Sequence, residues 1–275
     1  MSFLLDTPGL AAAREQVTLL DLRPAEDFAV GHIEGARPLD IYGVSLNDSS
    51  EAPLNAFLAI FRTLFGARGV TTDRPVVVYD HESGERAARA VWLLAVLGHP
   101  DVNMLDGGVL AWTAAGGRLV QVTKAPEPVD PAKAPPTAPP FRGTANLDLL
   151  ATRFDVHAAI GSDAAVIVDV RRESEYRGTE KRARRAGTIP GAVHVFWREH
   201  LDANGAYRPA AEIRALYESK GITPDKTVIP VCQGGYRSAS TFIALKSLGY
   251  PRVRNYVGSW GEWGNRDDSL IVLPP

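Results

Sequence analysis

Short apolar runs alternate with helical patterns along the chain. Residues 75–79 and 228–231 are apolar runs of strand length, which is typical of buried strands. Elsewhere apolar side chains recur at helical spacing, as at Ala87, Ala90 and Leu94, which would share one helix face. Strands that alternate with helices predict βαβ units and parallel sheets, so the chain is expected to have an α/β fold.

Several of these segments occur twice, in the same order. A preserved order of distinct segments indicates a duplicated domain, because solenoid repeats are shorter and stack many copies. The matched pairs are residues 19–23 with 166–171, 31–36 with 187–192, 75–79 with 228–231, 97–102 with 248–253, and 107–112 with 258–263.

A proline-rich segment separates the two copies. Prolines recur throughout residues 125–140, and they make a connector stiff and extended. We therefore predict a first domain at residues 1–124, a connector at 125–142 and a second domain at 143–275. Each domain is expected to be a mainly parallel sheet flanked by helices.

The composition narrows the classes of partner and compartment. A formal net charge of −2 gives no overall attraction to nucleic acid or to an anionic membrane, so neither is expected as a partner. A single cysteine excludes an intrachain disulfide framework and a cysteine-based zinc site. The N-terminal residues lack the pattern of a signal peptide, and a cytoplasmic, reducing location would suit a working thiol.

The only cysteine, Cys232, lies in a loop between a predicted strand and a predicted helix, at the sheet edge where α/β folds bind ligands. Gly234 and Gly235 allow successive amide N–H groups to turn inward as an anion-binding nest. The helix N-terminus and Arg237 add positive charge, and each effect favours thiolate over thiol. A buried structural cysteine, the alternative, would need neither the glycines nor the arginine. The residues expected to surround the sulfur are Gln233, Gly234, Gly235, Tyr236, Arg237 and Ser238.

The two copies differ at this loop. Where the second copy has Cys232, the first has Asp80, flanked by Glu82 and Glu85. Three carboxylates would repel an anionic substrate, so we expect the first domain to be non-catalytic.

The second copy also carries an extra basic segment at residues 176–185. A solvated loop is one interpretation, and it is the preferred one for Lys181, Arg182 and Arg185. The other is that one or two of its arginines face the cysteine pocket and guide an anionic substrate.

Taken together, the motifs resemble those of the tandem-domain rhodanese family, the thiosulfate and 3-mercaptopyruvate sulfurtransferases, and the resemblance covers essentially the whole chain. The residues that carry it are 21–23 with 31–33, 105–108, 176–180, 187–192, the Cys232 loop and 258–263.

This resemblance implies two rhodanese domains, a non-catalytic first domain and a persulfide intermediate on Cys232, with no metal or organic cofactor. It places substrate contacts on Arg177 and Arg184. Asp169 corresponds to a family carboxylate near the pocket that would hold an arginine, and Trp260 is either part of an apolar wall around the sulfur or an ordinary core residue. The implied reaction is double displacement, in which thiosulfate donates sulfur and cyanide, a small thiol or a protein thiol accepts it.

Departures from the family pattern leave alternatives open. Mercaptopyruvate enzymes usually have a serine where Gly234 stands, which favours thiosulfate over mercaptopyruvate as the donor. Thr188 replaces the usual histidine of the second copy, whereas His32 keeps it in the first. A cysteine-dependent phosphatase would also place a thiolate in an anion loop before an arginine, but those loops are one residue longer. A persulfide carrier or regulatory module is the other alternative.

Overall fold

The computed structural model of the protein describes residues 3–123 and 138–275. Most of the connector predicted at residues 125–142 lies outside the described residues, and so do both ends of the predicted first domain, at residues 1–2 and Lys124. The described residues form parallel sheets flanked by helices, which confirms the α/β prediction. None of the described helices is both long enough and apolar enough to cross a membrane.

The first domain is built on a parallel sheet with helices on its faces. Its strands are β1 (Leu4–Leu5), β2 (Thr18–Asp21), β3 (His32–Ile33), β4 (Arg37–Pro38), β5 (Val76–Tyr79), β6 (Val102–Leu105) and β7 (Leu119–Val120). Its helices are α1 (Thr7–Ala13), α2 (Ala25–Val30), α3 (Glu51–Ala67), α4 (Glu85–Val96) and α5 (Gly108–Ala114). Among the described residues the main sheet has the order β1-β6-β5-β2-β4, and β3 and β7 form a small antiparallel pair beside it.

The second domain repeats this arrangement. Its strands are β8 (Leu150–Ala151), β9 (Ala165–Asp169), β10 (Val193–His194), β11 (Thr227–Val231) and β12 (Asn255–Tyr256). Its helices are α6 (Arg153–Ala159), α7 (Glu173–Tyr176), α8 (Ala210–Glu218), α9 (Arg237–Ser247) and α10 (Ser259–Trp263), with 3-10 turns at Leu147–Leu149 and Trp197–His200. The two-stranded sheet β8-β12 and the three-stranded sheet β11-β9-β10 together follow the strand order of the first sheet, and a bridge between Val228 and Val253 connects β11 with the segment before β12.

That bridge also explains why a proline is tolerated in β11. Val228 forms two hydrogen bonds with the segment just before β12. Its amide donates to the Arg252 carbonyl at 2.8 Å, and its carbonyl accepts from the Arg254 amide at 2.9 Å. Alternate residues of a strand point their polar groups the same way, so the missing N–H of Pro230 faces this side too. In the part of the chain that the structure describes, the Val228–Val253 bridge is the only strand pairing on this side of β11. No backbone hydrogen bond is therefore lost where Pro230 lacks its N–H.

The two domains share one hydrophobic core. Helix α4 of the first domain packs on α9 of the second, and every residue of α4 from Ala87 to Val96 is buried. The sequence pattern predicted a single apolar face, but α4 packs on the sheet of its own domain on one side and on α9 on the other, so it is mainly apolar all round. Trp92 crosses the boundary, because its indole N–H donates to the Leu149 carbonyl at 2.9 Å.

Each domain also carries the same buried ion pair at the end of a central strand. Arg23 binds Asp21 through two guanidinium nitrogens, and Arg171 binds Asp169 with the same distances, the shortest being 2.6 Å in both. Each arginine also donates at 2.7 Å to the carbonyl of a glycine further along the chain, Gly31 in the first domain and Gly187 in the second. Each pair therefore ties the end of a central strand to the equivalent later segment of its domain.

Asp21→Asn and Asp169→Asn are therefore expected to destabilise the protein to a similar degree. Either change leaves a buried arginine without its counter-charge, which costs about 3–5 kcal/mol. The free energy of unfolding, measured by denaturant titration of both variants and of the wild type, checks this. A loss from only one of the two variants would show that the duplicated pairs are not energetically equivalent.

Candidate active site

Cys232 lies in the loop between β11 and α9, as the sequence predicts, and its side chain is 1% exposed. The loop turns sharply because Gly235 has a φ of +81°, in the left-handed region that favours glycine. The turn directs the Gly235 amide back at the sulfur, with 3.1 Å between the nitrogen and Sγ. On the other sides, the hydroxyls of Ser238 and Ser259 lie 3.3 Å and 3.9 Å from Sγ.

These donors change the acidity of the thiol. Burial by itself raises the pKa of a thiol, because it penalises the charged form. Here the charge of Arg237 and the hydrogen bonds from Ser238 and the loop amides outweigh burial, so the pKa of Cys232 falls below its ordinary value. The loop therefore favours an anionic sulfur in a position that water hardly reaches.

Arg237 owes its position to an acidic residue that the sequence analysis missed. Its guanidinium binds the carboxylate of Glu175 at both ends, at 2.6 Å and 3.0 Å. Burial raises the pKa of a carboxyl, but the hydrogen bonds from Arg237 hold the pKa of Glu175 below its usual value. Glu175 lies on α7, just before the basic segment, and nothing in the local pattern distinguishes it from its acidic neighbours.

The sulfur opens onto a cavity of about 760 Å³ between the two domains. Four arginines and two glutamates give its wall a cationic character, and four aromatic residues and several small or polar residues form the rest. The lining residues are Tyr42, Gly43, Ser45, Glu85, Arg172, Glu180, Arg182, Phe196, Trp197, Arg198, Cys232, Gln233, Gly234, Tyr236 and Arg237.

The basic segment contributes to this cavity through a different arginine from those expected. Arg182 lines the cavity, whereas Arg177 and Arg184 do not. Arg177 pairs at 2.8 Å with Glu173 one helical turn earlier, and Arg184 pairs with Asp267 on the surface. Neither is brought to the sulfur, because each is held by a carboxylate outside the cavity.

Asp169 and Trp260 lie beneath the loop, outside the cavity lining. Asp169 does hold an arginine, but that arginine is Arg171, and Asp169 also accepts a 2.7 Å hydrogen bond from Thr188. Trp260 is 1% exposed, with the Arg171 guanidinium 4.3 Å from its ring centroid. Its amide donates to the Cys232 carbonyl at 2.9 Å, so it supports the loop from the core.

The first domain supplies part of the site, which the sequence comparison of the two copies did not reveal. Tyr236 donates its hydroxyl to the carbonyls of Ile41 and Val44, at 2.7 Å and 3.1 Å. Glu85 lines the cavity from the side of the first domain, and burial raises the pKa of its carboxyl. Arg89, on the same helix, donates to the carbonyl of Gly234.

In the equivalent loop of the first domain, the side chain of Asp80 binds the amides that would otherwise be free to bind an anion. The carboxylate of Asp80 accepts hydrogen bonds from the amides of His81 at 2.8 Å and Arg86 at 3.2 Å. Burial raises the pKa of this carboxyl, and the side chain is 8% exposed. Asp80 thus occupies the position of an anion in its loop, in keeping with a domain that carries no nucleophile there.

Comparison with known proteins gives a consistent result. A family model described as a rhodanese-like domain matches residues 9–115 and 152–266. The thiosulfate sulfurtransferase of Pseudomonas aeruginosa is 37% identical over 258 residues, which are 94% of this chain and 92% of that protein. The thiosulfate sulfurtransferase of Azotobacter vinelandii is 38% identical with the same coverage. The sulfur carrier protein TtuD of Thermus thermophilus is 34% identical, over 90% of this chain and 86% of that protein.

Solved structures share the fold. YnjE has a TM-score of 0.80 and 22% identity, over 99% of this chain and 68% of that one. The anaerobic ergothioneine biosynthesis enzyme from Chlorobium limicola has a TM-score of 0.81 and 21% identity, over 98% of this chain and 69% of that one. At these identities the likeness concerns the fold alone.

Ser238→Ala is expected to raise the pH at which Cys232 becomes reactive by about half to one unit, because a hydrogen bond of about 0.5–1.5 kcal/mol to the thiolate is lost. The rate of alkylation by iodoacetamide, followed against pH, measures this midpoint, and the single cysteine makes the signal unambiguous. Ser240→Ala is the matched control, because Ser240 is equally buried on α9 but bonds to His200 and Tyr207. Equal midpoints for both variants and the wild type would contradict the assigned role of the Ser238 hydroxyl.

Proposed function

The chain belongs to the rhodanese family of sulfurtransferases, and we propose that it moves a sulfane sulfur from thiosulfate to a thiophilic acceptor through a persulfide on Cys232. The observation that carries the proposal is the setting of Cys232. A buried thiol with a lowered pKa is ringed by hydrogen-bond donors and opens onto a cationic cavity. The two relatives named thiosulfate sulfurtransferase support the choice of donor.

In the first step the Cys232 thiolate attacks the outer sulfur of thiosulfate. A bond forms between the two sulfurs, the bond to the central sulfur breaks, and its electron pair leaves with sulfite. Negative charge passes to the terminal sulfur of the new persulfide. The Gly235 amide and the Ser238 hydroxyl already point at this region, so the donors need little reorganisation as charge moves.

In the second step the acceptor attacks the terminal sulfur, and the electron pair of the S–S bond returns to Cys232. Cyanide would leave as thiocyanate, and a thiolate would leave as a persulfide, so the enzyme is regenerated without any external oxidant or reductant. A cavity of about 760 Å³ leaves room for an acceptor larger than cyanide. A protein thiol as acceptor would make the chain a sulfur carrier by the same chemistry, as the name of the Thermus thermophilus relative suggests.

Donor binding falls to the arginines that line the cavity. Arg172, Arg182 and Arg198 are placed at its wall, and Arg198 is itself paired with Glu82 of the first domain. Thiosulfate carries two negative charges, so these cations favour its entry over that of neutral molecules. The family resemblance assigns this role to Arg177 and Arg184, which pair with carboxylates outside the cavity lining.

Cys232→Ser is expected to abolish sulfur transfer while the protein stays folded, because the hydroxyl is a far poorer nucleophile towards sulfur. Turnover with thiosulfate and cyanide measures the loss. Intact mass after incubation with thiosulfate should show one added sulfur atom on the wild type and none on the variant. Asp80→Ala is the control at the matching position of the first domain and should keep turnover within about tenfold, or about 1.4 kcal/mol. A folded Cys232→Ser protein with substantial turnover would end the proposal.

Arg182→Ala is expected to raise KM for thiosulfate about tenfold with little change in kcat, because a charged contact to the bound donor is lost. Arg177→Ala and Arg184→Ala are the matched controls from the same basic segment, and both should keep the wild-type KM. Steady-state kinetics with varied thiosulfate separate the cases. A raised KM in the two controls but not in Arg182→Ala would restore the assignment based on family resemblance.

A further inference from the structure

Arg89 is a cation of the non-catalytic domain that is buried against the Cys232 loop. Its side chain is 0% exposed on α4. Among residues 3–123 and 138–275 its hydrogen bonds go to backbone carbonyls and none to a carboxylate, and its Nε has no hydrogen-bond partner. A buried cation without a carboxylate counter-charge is costly, and proteins seldom keep one without a use for it.

The contacts of Arg89 lead directly to the catalytic loop. Nη1 donates to the Gly234 carbonyl at 2.5 Å, and Nη2 donates to the Val44 carbonyl at 3.1 Å. The guanidinium carbon lies 4.0 Å from the centroid of the Tyr236 ring, close enough for a cation–π interaction. These contacts tie one arginine of the first domain to two residues of the loop.

A single peptide group joins Arg89 to the sulfur. The carbonyl of Gly234 and the amide of Gly235 belong to the same planar unit, and the amide donates to Cys232 Sγ at 3.1 Å. A charged donor on the carbonyl polarises the unit and strengthens the N–H on its far side. It also prevents rotation of a peptide between two glycines, which little else would restrain.

The approach of the Arg89 guanidinium leaves no space for a side chain at position 235. A Cβ atom added to Gly235 would lie 2.6 Å from Nη1 of Arg89, and the φ of +81° would strain it further. Gly235 is therefore required both by the turn and by the approach of the arginine.

We propose that Arg89 is a positioning residue of the active site, which keeps the N–H of the Gly234–Gly235 peptide directed at the Cys232 sulfur and adds its positive charge to that of Arg237 in stabilising the anionic sulfur. The first domain then completes the site of the second, although its own loop carries Asp80. The proposal rests on the proposed role of Cys232 as the sulfur-accepting nucleophile. It goes beyond that role because it assigns part of the anion stabilisation to the other domain.

The test compares Arg89→Met, Arg89→Gln and Arg89→Lys. The methionine variant removes both the charge and the hydrogen-bond donors, and the glutamine variant keeps a donor without the charge. The lysine variant keeps the charge but replaces the planar guanidinium with a compact ammonium group. We expect the midpoint of iodoacetamide alkylation to rise by about one pH unit in Met and Gln, the lower end of the effect of a nearby opposite charge. In Lys it should stay closer to that of the wild type. The kcat/KM for thiosulfate should fall about tenfold in Met and recover partly in Lys.

Arg62→Met is the matched control, because Arg62 is another first-domain arginine that donates to two backbone carbonyls, those of Phe141 and Gly143, away from the loop. Its alkylation midpoint should not move. The charged groups that line the cavity around the sulfur are unchanged in every variant: Arg172, Arg182, Arg198, Arg237, Glu85 and Glu180. Glu175, which binds Arg237, is also unchanged.

Alkylation needs no sulfur donor, so it separates this proposal from the assignment of thiosulfate. If thiosulfate were the wrong donor, the midpoints would still shift as described. Each variant is measured on its folded fraction. If the Met and Gln variants kept the wild-type alkylation midpoint, Arg89 would be only a structural part of the interface, and the proposal would be overturned. Should Met fail to fold, the comparison of Gln with Lys decides between the same two outcomes.

Discussion

The structure is governed by the need to keep a charged sulfur where water hardly reaches it. Burial alone would hold the Cys232 thiol neutral, so every element around it must favour the anion. The Gly235 amide, the Ser238 hydroxyl and the charge of Arg237 do so together. Arg237 in turn depends on Glu175, because an unpaired buried guanidinium would be costly. This pair joins α7 to the start of α9, beside the Cys232 loop.

The two domains carry equivalent loops after β5 and β11, and each loop holds a different anionic group. In the first domain the carboxylate of Asp80 binds the amides of its own loop, so that loop needs no external ligand. In the second the corresponding side chain is a thiol, small enough to leave its sulfur open to the cavity. The common scaffold persists beneath both loops, where Asp21–Arg23 and Asp169–Arg171 have matching geometry. The two domains therefore share their architecture and divide the chemistry.

The boundary between the domains is part of the site. Helices α4 and α9 belong to one hydrophobic core, which extends across the boundary between the domains. From this shared core Arg89 and Tyr236 cross between the domains beside the sulfur, and Glu85 and Tyr42 line the cavity from the first domain. Burial of α4 from Ala87 to Val96 explains why this stretch is apolar except for Arg89. The charge of Arg89 is accommodated there because its guanidinium donates to two backbone carbonyls.

The sequence by itself determined the α/β class, the duplication, the strand–loop–helix setting of Cys232 and the family, because these depend on local patterns and short motifs. The period of apolar residues, the paired glycines and the repeated order of segments are all local properties. Only the tertiary structure decided which charges meet the sulfur. Arg177 and Arg182 are neighbours in one basic segment, yet Glu173 holds the first at the surface while the second reaches the cavity. Glu175 and Arg89 approach the loop from distant parts of the chain, and no local pattern encodes a contact made by the packing of one domain on another.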